Sequence, residues 1–525
     1  MAVSAILHLG WLETDMRLEH VLLSHCRNSP EKTALIGGSE RISFGELGDI
    51  VQRIATGLRA RGLESGARVI FYLPNSITFA ESYFAVLAVG GVPIPVSTRL
   101  SLGELSYVCD DSDAAVIICN ADVASGVRDT VVADRPNVTL YVANGDLDGA
   151  LAFQDLLDTA PEPFPSLPLE QDEAVVIYTS GTTGRPKGAV LTHANLLIQH
   201  GFINPVEWGI SGEDRYLVVA PMAHRAGMGR LVNAMMLGAT IVIENQFESK
   251  KILDIIEREK ITVFGMVPTM CRLMMPELEK APHKAASLRM LTVTGEAFPV
   301  KLKARLLELM PDASMISFFG MTEAGGVTTL LHEEQFTHPD SVGRVSPGVE
   351  VRLVDDSGTD VELGEVGELW VRAGRPGAFT VMKEYLAQPE QTAQTLTDGW
   401  CHTGDLARFD EGGYLYVVDR KKDMILSGGL NIYSKEVELA IRGLPGVQDV
   451  AVIGLPDPVY GEAVAAIVEH KPDVTPPSAD EVIAHCRANI ASYKKPKHVF
   501  FRNALPRNAS GKVRKIDLVT ELTNT

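Results

Sequence analysis

Short apolar runs of strand length alternate with stretches of helical period along most of this chain, and that alternation limits the folds open to it. Helical spacing covers 17–28, 44–61 and 77–89, and strand-length apolar runs cover 67–73 and 114–119. A second series places strand candidates at 174–179, 216–220, 240–244, 263–267 and 290–294, with helical stretches between them. Strands separated in sequence by helices pair in parallel, because a parallel connection needs a crossover and a helix supplies one. The expectation is an α/β class in which two α/β subdomains, joined through the Pro-rich 161–168, make a large N-terminal domain. From 348 to 371 short alternating runs with Gly turns predict a small antiparallel β section. The charged run Asp-Arg-Lys-Lys-Asp at 419–423 separates that section from a last unit of domain size. The predicted domains are therefore 1–421 and a small α+β C-terminal domain, 422–525.

The formal net charge of −19 disfavours nucleic acid as a partner. Within that acidic chain, 487–515 holds nine Lys or Arg and no Asp or Glu. Such a stretch is either a solvated basic face or a surface that meets a polyanion such as a nucleotide or CoA. Cys26, Cys109, Cys119, Cys271, Cys401 and Cys486 form no Cys-x-x-Cys pair. That argues against a zinc site or a disulfide framework, fits a reducing, cytoplasmic compartment, and leaves the cysteines as small buried apolar residues. No signal peptide or peroxisomal address is expected. The most apolar long stretch, 83–96, carries Gly90, Gly91, Pro93 and Pro95 and is too short to span a membrane. It reads as buried strand and turn.

The motif with the most chemistry is Tyr-Thr-Ser-Gly-Thr-Thr-Gly-Arg-Pro-Lys-Gly at 178–188, directly after a strand candidate. Glycines let backbone amides approach an anion, the Thr and Ser hydroxyls add donors, and Lys187 adds charge, a combination suited to a polyphosphate. It is not a Walker A loop, which requires Gly-Lys-Ser/Thr. The eleven residues in this order resemble the phosphate loop of the adenylate-forming superfamily, which includes acyl-CoA synthetases, peptide-synthetase adenylation domains and firefly-type luciferases.

That resemblance continues in order along nearly the whole chain, closest to fatty or aryl acid–CoA ligases. It implies that Thr179, Ser180, Gly181, Thr182, Thr183, Gly184 and Lys187 hold ATP phosphates, and that Gly295, Glu296 and Ala297 form the adenine-binding strand end. Phe318-Phe319-Gly320-Met321-Thr322-Glu323 is similar to an aromatic-Gly-x-Thr-Glu motif; by it Phe319 stacks near adenine, Thr322 bonds the α-phosphate and Glu323 helps hold Mg²⁺, a hard cation suited to carboxylate and phosphate oxygens. Many relatives carry Tyr in place of Phe319. Trp400-Cys-His-Thr-Gly-Asp405 resembles the segment whose Asp accepts bonds from both ribose hydroxyls, and Asp419-Arg420 places Arg420 at the ribose too. Pro506-Arg-Asn-Ala-Ser-Gly-Lys512 resembles the catalytic-lysine loop, with Lys512 neutralising charge as the α-phosphorus is attacked.

For the second half-reaction the resemblance makes Lys422 the hinge of a mobile C-terminal domain and lets Gly428, Gly429 and Leu430 border a CoA tunnel. Ser434 stands where relatives often have Pro. The segment 220–227, Ala-Pro-Met-Ala-His-Arg-Ala-Gly, resembles the family's acyl-pocket segment. It implies that His224 lies beside the acyl group, with Met222, Met228, Val267, Phe318 and Val327 as apolar walls. Arg225 and Arg230 leave open a second carboxylate on the substrate. The expected enzyme is an acid–CoA ligase that forms an acyl-CoA from a carboxylic acid, ATP and CoA through an acyl-adenylate, releasing pyrophosphate and AMP. The alternative is an amino-acid or aryl-acid adenylating enzyme that loads a carrier protein. The expected partners are a small-molecule carboxylic acid and CoA, with neither nucleic acid nor a transmembrane segment; homodimerisation, the identity of the acid and its chain length stay open.

Overall fold

The computed structural model describes residues 16–165, 167, 171–179, 185–295, 298–472, 474–507 and 512–523. The chain divides into two compact units: residues up to Glu350 together with Val371–Cys401, and Val351–Trp370 together with residues from His402 onward.

The predicted elements form close to where the sequence pattern puts them. The expected helices appear as Leu18–Asn28, Phe44–Ala60 and Ile77–Ala88. The start of Phe44–Ala60 is fixed by a capping box, in which the Ser43 hydroxyl accepts from Glu46 N and the Glu46 carboxylate accepts from Ser43 N. The stretch 83–96 corrects one expectation. Its first part completes the Ile77–Ala88 helix, and only Val92–Pro95 is strand. Every residue of that helix except Thr78 is buried, so apolar side chains surround it and its last turns merge in sequence with the apolar strand that follows.

Among the described residues of the first unit, a nine-stranded sheet runs in the order Arg344–Val345, Gly325–Leu330, Ser314–Met321, Met290–Val293, Val263–Met266, Arg215–Val218, Thr240–Ile243, Thr33–Gly37, Glu40–Ser43. The strands from Thr33–Gly37 through Ser314–Met321 pair in parallel, and antiparallel strands close both edges. A second sheet, of Val92–Pro95, Arg68–Tyr72, Val116–Asn120, Thr139–Ala143 and Leu151–Ala152, is parallel throughout. Glu173–Thr179, Lys187–Thr192 and Glu384–Tyr385 form an antiparallel trio. Parallel strands are covered on both faces, which explains their nearly continuous apolar sequences. Tyr83, Phe44, Phe71, Phe79 and Phe84 are fully buried between these layers.

In the second unit the hairpin Val447–Asp457/Gly461–His470 is the centre of a sheet that also takes in Ile425–Ser427, Leu430–Ile432 and, in parallel, His498–Arg502. One face packs on the helices Ser434–Arg442 and Ala479–Asn489, the other on Lys515–Thr523. The predicted β section appears as Glu350–Val354 and Gly367–Arg372. All six cysteines are buried and unlinked. Among the described residues no helix is long and apolar enough to cross a membrane.

Gly90 makes the turn from the Ile77–Ala88 helix into Val92–Pro95 at φ +76°, and a Cβ there would lie 2.6 Å from Ser65 Oγ. Gly62 also has positive φ, +91°, but has open space around it. Gly90→Ala should therefore lower the unfolding free energy by about 1–3 kcal/mol, more than Gly62→Ala does. Urea titrations of the two variants check this; equal losses would mean that the contact with Ser65 contributes nothing.

Candidate active site

In the first unit the phosphate-loop motif begins where an antiparallel hairpin opens. Thr179 ends one strand, Lys187 begins the next, and the two face each other in register. Both shoulders of the loop are tied to the Leu102–Ser112 helix. The Tyr178 hydroxyl donates to Asp111 at 2.7 Å, and the Tyr107 hydroxyl donates to Pro186 O at 3.1 Å and to Asp111 at 3.2 Å. Arg185 lies over the Tyr107 ring, 5.5 Å from its centroid. Ser180, Gly181, Thr182, Thr183 and Gly184 lie outside the described residues.

At the mouth of that hairpin sits the buried carboxylate of Glu323. Its Oε1 accepts from Thr179 Oγ1 at 3.2 Å and from the Tyr385 hydroxyl at 2.9 Å. Lys187 Nζ stands 5.2 Å from the centre of the Tyr385 ring and donates to Gln391 at 2.5 Å. Burial and the neighbouring carboxylate push the Tyr385 phenol far above its ordinary range, so it remains a donor. Thr179, Lys187 and Glu323, which the sequence motifs single out, are thus joined by Tyr385 and Gln391, which they do not. Tyr385 belongs to a two-residue strand paired with Lys187–Thr192, and nothing in its local sequence marks it.

The other predicted residues of this unit gather at the C-terminal ends of the parallel strands, the edge at which open α/β sheets bind ligands. Val267 follows Val263–Met266, Gly295 follows Met290–Val293, and Phe318 and Phe319 belong to Ser314–Met321. Thr294 Oγ1 donates to Phe318 O at 3.1 Å. Gly295 has φ +100°, and a Cβ there would meet Val267 at 3.5 Å. Phe318 packs on Trp208 at 5.0 Å. Phe319 pairs with Thr328, and the ladder bulges between Phe319 and Gly320. Gly320 and Gly325 shape the turn that leads to Thr322 and Glu323: a Cβ on Gly320 would lie 2.4 Å from Gly325 O. Glu296 and Ala297 lie outside the described residues.

The acyl-pocket segment is fixed by one asparagine. The Asn75 Oδ1 accepts from Met222 N at 2.7 Å, and its Nδ2 donates to Val219 O, Ala220 O and Glu244 O at 3.3, 3.0 and 3.2 Å. His224 then caps the Arg225–Leu237 helix. Gly227 permits the tight entry, since a Cβ would stand 2.3 Å from Pro221 O. Met222, Met228 and Val327 are fully buried and Val267 is half-buried.

In the second unit, Asp405 and Arg420 face each other across the Trp400–Phe409/Leu415–Arg420 hairpin, with Arg420 Nε 2.6 Å from Asp405 Oδ1. Asp405 is buried. Desolvation lowers the pKa of the half-buried Lys435, missed in the sequence, against the opposing charges of Asp419 and Asp405. Gly428 and Gly429, at φ +59° and +79°, are the two central residues of the Ile425–Ser427/Leu430–Ile432 hairpin turn, a conformation with positive φ at both positions that Gly-Gly adopts without strain. Leu430 is half-exposed, at 48 %. Lys422 is exposed in the turn Lys421–Asp423. Lys512 is exposed beside the Arg507↔Val513 bridge. The basic stretch resolves largely into ion pairs within this unit: Lys494 with Glu436, Lys497 with Asp457, Arg502 with Glu521, Arg507 with Asp449, Arg514 with Asp517 and Lys515 with Glu438.

A hydroxyl- and Gly-rich loop, a buried carboxylate at its mouth and a ligand-binding strand edge together define a nucleotide-dependent α/β enzyme. The chain belongs to the AMP-binding enzyme family, whose profile matches residues 22–386, while that of the AMP-binding enzyme C-terminal domain matches 436–512. It is 38 % identical to a feruloyl-CoA synthase of Amycolatopsis sp over 493 residues, which is 93 % of this chain and 96 % of the relative. It is 34 % identical to a long-chain-fatty-acid–CoA ligase of Mycobacterium tuberculosis over 99 % of both chains. Its fold matches the o-succinylbenzoate CoA synthetase of Bacillus subtilis in complex with its acyl-adenylate intermediate, with TM-score 0.84, 27 % identity and coverage of 96 % of this chain and 98 % of that one. ATP-bound MatB from Rhodopseudomonas palustris matches with TM-score 0.86 and 29 % identity over 97 % and 99 %. The chain is accordingly an ATP-dependent acid–thiol ligase, an acyl-CoA synthetase, with ATP and CoA as substrates.

Tyr385→Phe removes one of the two hydroxyl donors to the buried Glu323 carboxylate and should lower stability by about 1–3 kcal/mol. Glu323→Gln keeps an acceptor oxygen and should cost less. Chemical unfolding of both variants checks this; the reverse order would mean that the phenol does not sustain the carboxylate.

Proposed function

We propose that the enzyme activates a carboxylic acid with an apolar body as its acyl-adenylate and then transfers the acyl group to CoA. The observation that carries this reading is the Glu323 cluster at the mouth of the 178–188 loop, joining Thr179, Tyr385 and Lys187. In the first step a substrate carboxylate oxygen attacks the α-phosphorus and the bond to pyrophosphate breaks. In the second the CoA sulfur attacks the acyl carbonyl, the thiol proton is lost and AMP leaves. Neither step needs a covalent enzyme intermediate. That agrees with six buried cysteines, whose thiols burial pushes upward, those of Cys26 and Cys109 to about 11.

On this reading the 179–184 segment and Lys187 hold the phosphates, Thr322 bonds the α-phosphate, Gly295, Glu296, Ala297 and Phe319 receive adenine, and Asp405 and Arg420 receive the ribose. Ionised Asp405 has two acceptor oxygens and no donor, as a ribose diol requires. The donor set around Glu323 suits Mg²⁺: one buried carboxylate with hydroxyl neighbours, leaving other positions to phosphate oxygens and water. When bound there, the ion supplies charge neutralisation at the phosphates. Lys512 supplies positive charge as the α-phosphorus is attacked. Lys422 is the hinge about which residues 422–525 turn, so that Lys512 withdraws before the thiol arrives, and Gly428, Gly429 and Leu430 border the CoA arm. His224, Met222, Met228, Val267, Phe318 and Val327 surround the acyl body. The relatives named for ferulate and long-chain fatty acids, both with extended apolar bodies, support that last assignment, and their being CoA ligases favours CoA over a carrier protein as acceptor.

Lys512→Ala should slow adenylation by a factor that corresponds to about 3–4 kcal/mol, read as acid-dependent pyrophosphate exchange, while thioester formation from a supplied acyl-adenylate continues. Unchanged exchange would remove Lys512 from the reaction. Lys422→Pro should leave pyrophosphate exchange in place and stop thioester formation, because proline fixes the backbone at the pivot; equal loss of both would place the pivot elsewhere.

A further inference from the structure

The Arg225–Leu237 helix carries two guanidinium groups into the interior of the first unit, and neither forms an ion pair among the described residues. Arg225 Nη1 and Nη2 and Arg230 Nε are sealed from solvent and have no hydrogen-bond partner among the described residues. Arg230 is otherwise held by neutral acceptors: its Nη1 donates to Ala226 O at 2.7 Å and its Nη2 to Thr292 Oγ1 at 3.0 Å. Around Arg225 the interacting groups are the phenol of Tyr83, fully buried, and Glu323, whose Oε1 already accepts two bonds. Burial draws both arginines down to about 10, which leaves them cationic near neutrality. His200, close enough for both to disfavour its protonation, is held neutral by burial, at about 3.

The backbone makes room for these cations. A Cβ on Gly265 would lie 1.7 Å from Arg230 Nε, so a glycine in the middle of the Val263–Met266 strand admits the guanidinium against the sheet. Gly265 and Thr292 face each other in register. The guanidinium therefore lies two residues, about 7 Å, inside the strand end where Val267 stands. On the same helix, Gly229 gives the His200 ring its place, with a Cβ only 2.8 Å from Cε1. A buried charge left without a counter-charge destabilises a fold strongly. Arg225 has the charge of Glu323 to offset it, whereas Arg230 has no carboxylate beside it, and the glycine opened next to Arg230 is accounted for by an anion that arrives with the ligand.

We propose that Arg230, with Arg225 on the same helix nearer Glu323, holds a second carboxylate of the bound acid, so that the acid activated here is a dicarboxylic acid. The inference rests on the acid–CoA ligase reading and sharpens it: the apolar walls take the middle of the substrate, the phosphate loop end takes the reacting carboxylate, and the arginines select the distal one. A guanidinium suits that task because its fork matches the two carboxylate oxygens.

The test measures AMP release with ATP and CoA for linear and aryl dicarboxylic acids beside monocarboxylic acids of matched length. At least one diacid should exceed its matched monoacid in kcat/KM by about tenfold or more. Arg230→Met and Arg225→Met should each erase that ratio, mainly through the KM of the diacid, and Arg230→Lys should restore part of it. Monoacids that match or exceed every diacid, or a ratio unchanged in both Met variants, would overturn the proposal. If no acid releases AMP, the ligase reading itself fails. The subsite is then judged on the wild-type protein alone, by whether any diacid raises Tm above the effect of its matched monoacid; no such rise overturns it. A variant that fails to fold leaves the wild-type ratio decisive.

Discussion

The carboxylate of Glu323 ties together three stretches that are far apart in the chain. It accepts from Thr179, where the strand leading into the 178–188 loop ends, and from Tyr385, in the short strand that extends the same hairpin sheet. Glu323 itself sits in the turn between Ser314–Met321 and Gly325–Leu330, at the edge of the parallel sheet. Its own backbone carbonyl accepts from Met382 N at 2.8 Å, which fixes the approach to Tyr385 as well. A buried anion is tolerable only when its oxygens are satisfied, so this one carboxylate ties the 178–188 hairpin to the edge of the parallel sheet.

Charge is distributed to the same end. The chain is acidic overall, yet its proposed substrates are polyanions. Many of the cations in the 487–515 stretch are committed to carboxylates of the second unit. The exposed members of this set contribute little stability, but all of them reduce the attraction of that unit for anions at large. A surplus of acid elsewhere disfavours non-specific polyanions, and on the proposed reading the positive charge used is confined to single side chains in built positions, such as Lys187 against the Tyr385 ring.

The fold was largely legible because its signals are local. Strand-length apolar runs and helical periods mark the parallel sheets within a residue or two, and the 83–96 stretch misled because a helix buried on every side runs in sequence straight into the apolar strand after it. The motif residues were legible because loop chemistry needs particular side chains in a fixed order. Thr179, Lys187 and Glu323 lie together for that reason. Tyr385, Gln391 and Asn75 were not legible. Each acts through a contact made across the fold, Asn75 with a turn nearly 150 residues on, judged by its bond to Met222, and no neighbour in sequence betrays such a role. Lys435 escaped for the same reason: its proximity to Asp419 and Asp405 exists only once the second unit has folded.

Glycines carry the part of recognition that side-chain motifs leave unwritten. Those of the 178–188 motif and the Gly428-Gly429 turn were visible because they cluster or occupy turns. Gly265 is different: it sits inside a buried strand, where a glycine weakens the strand and signals that something approaches closely. What approaches is Arg230. Had position 265 carried the β-branched residue typical of such a strand, the guanidinium would have no room against the sheet, and the subsite proposed for a second carboxylate would be lost. On the proposed reading, the reaction chemistry resides in residues that announce themselves in order, whereas the choice of acid turns on whether one strand position lacks a side chain.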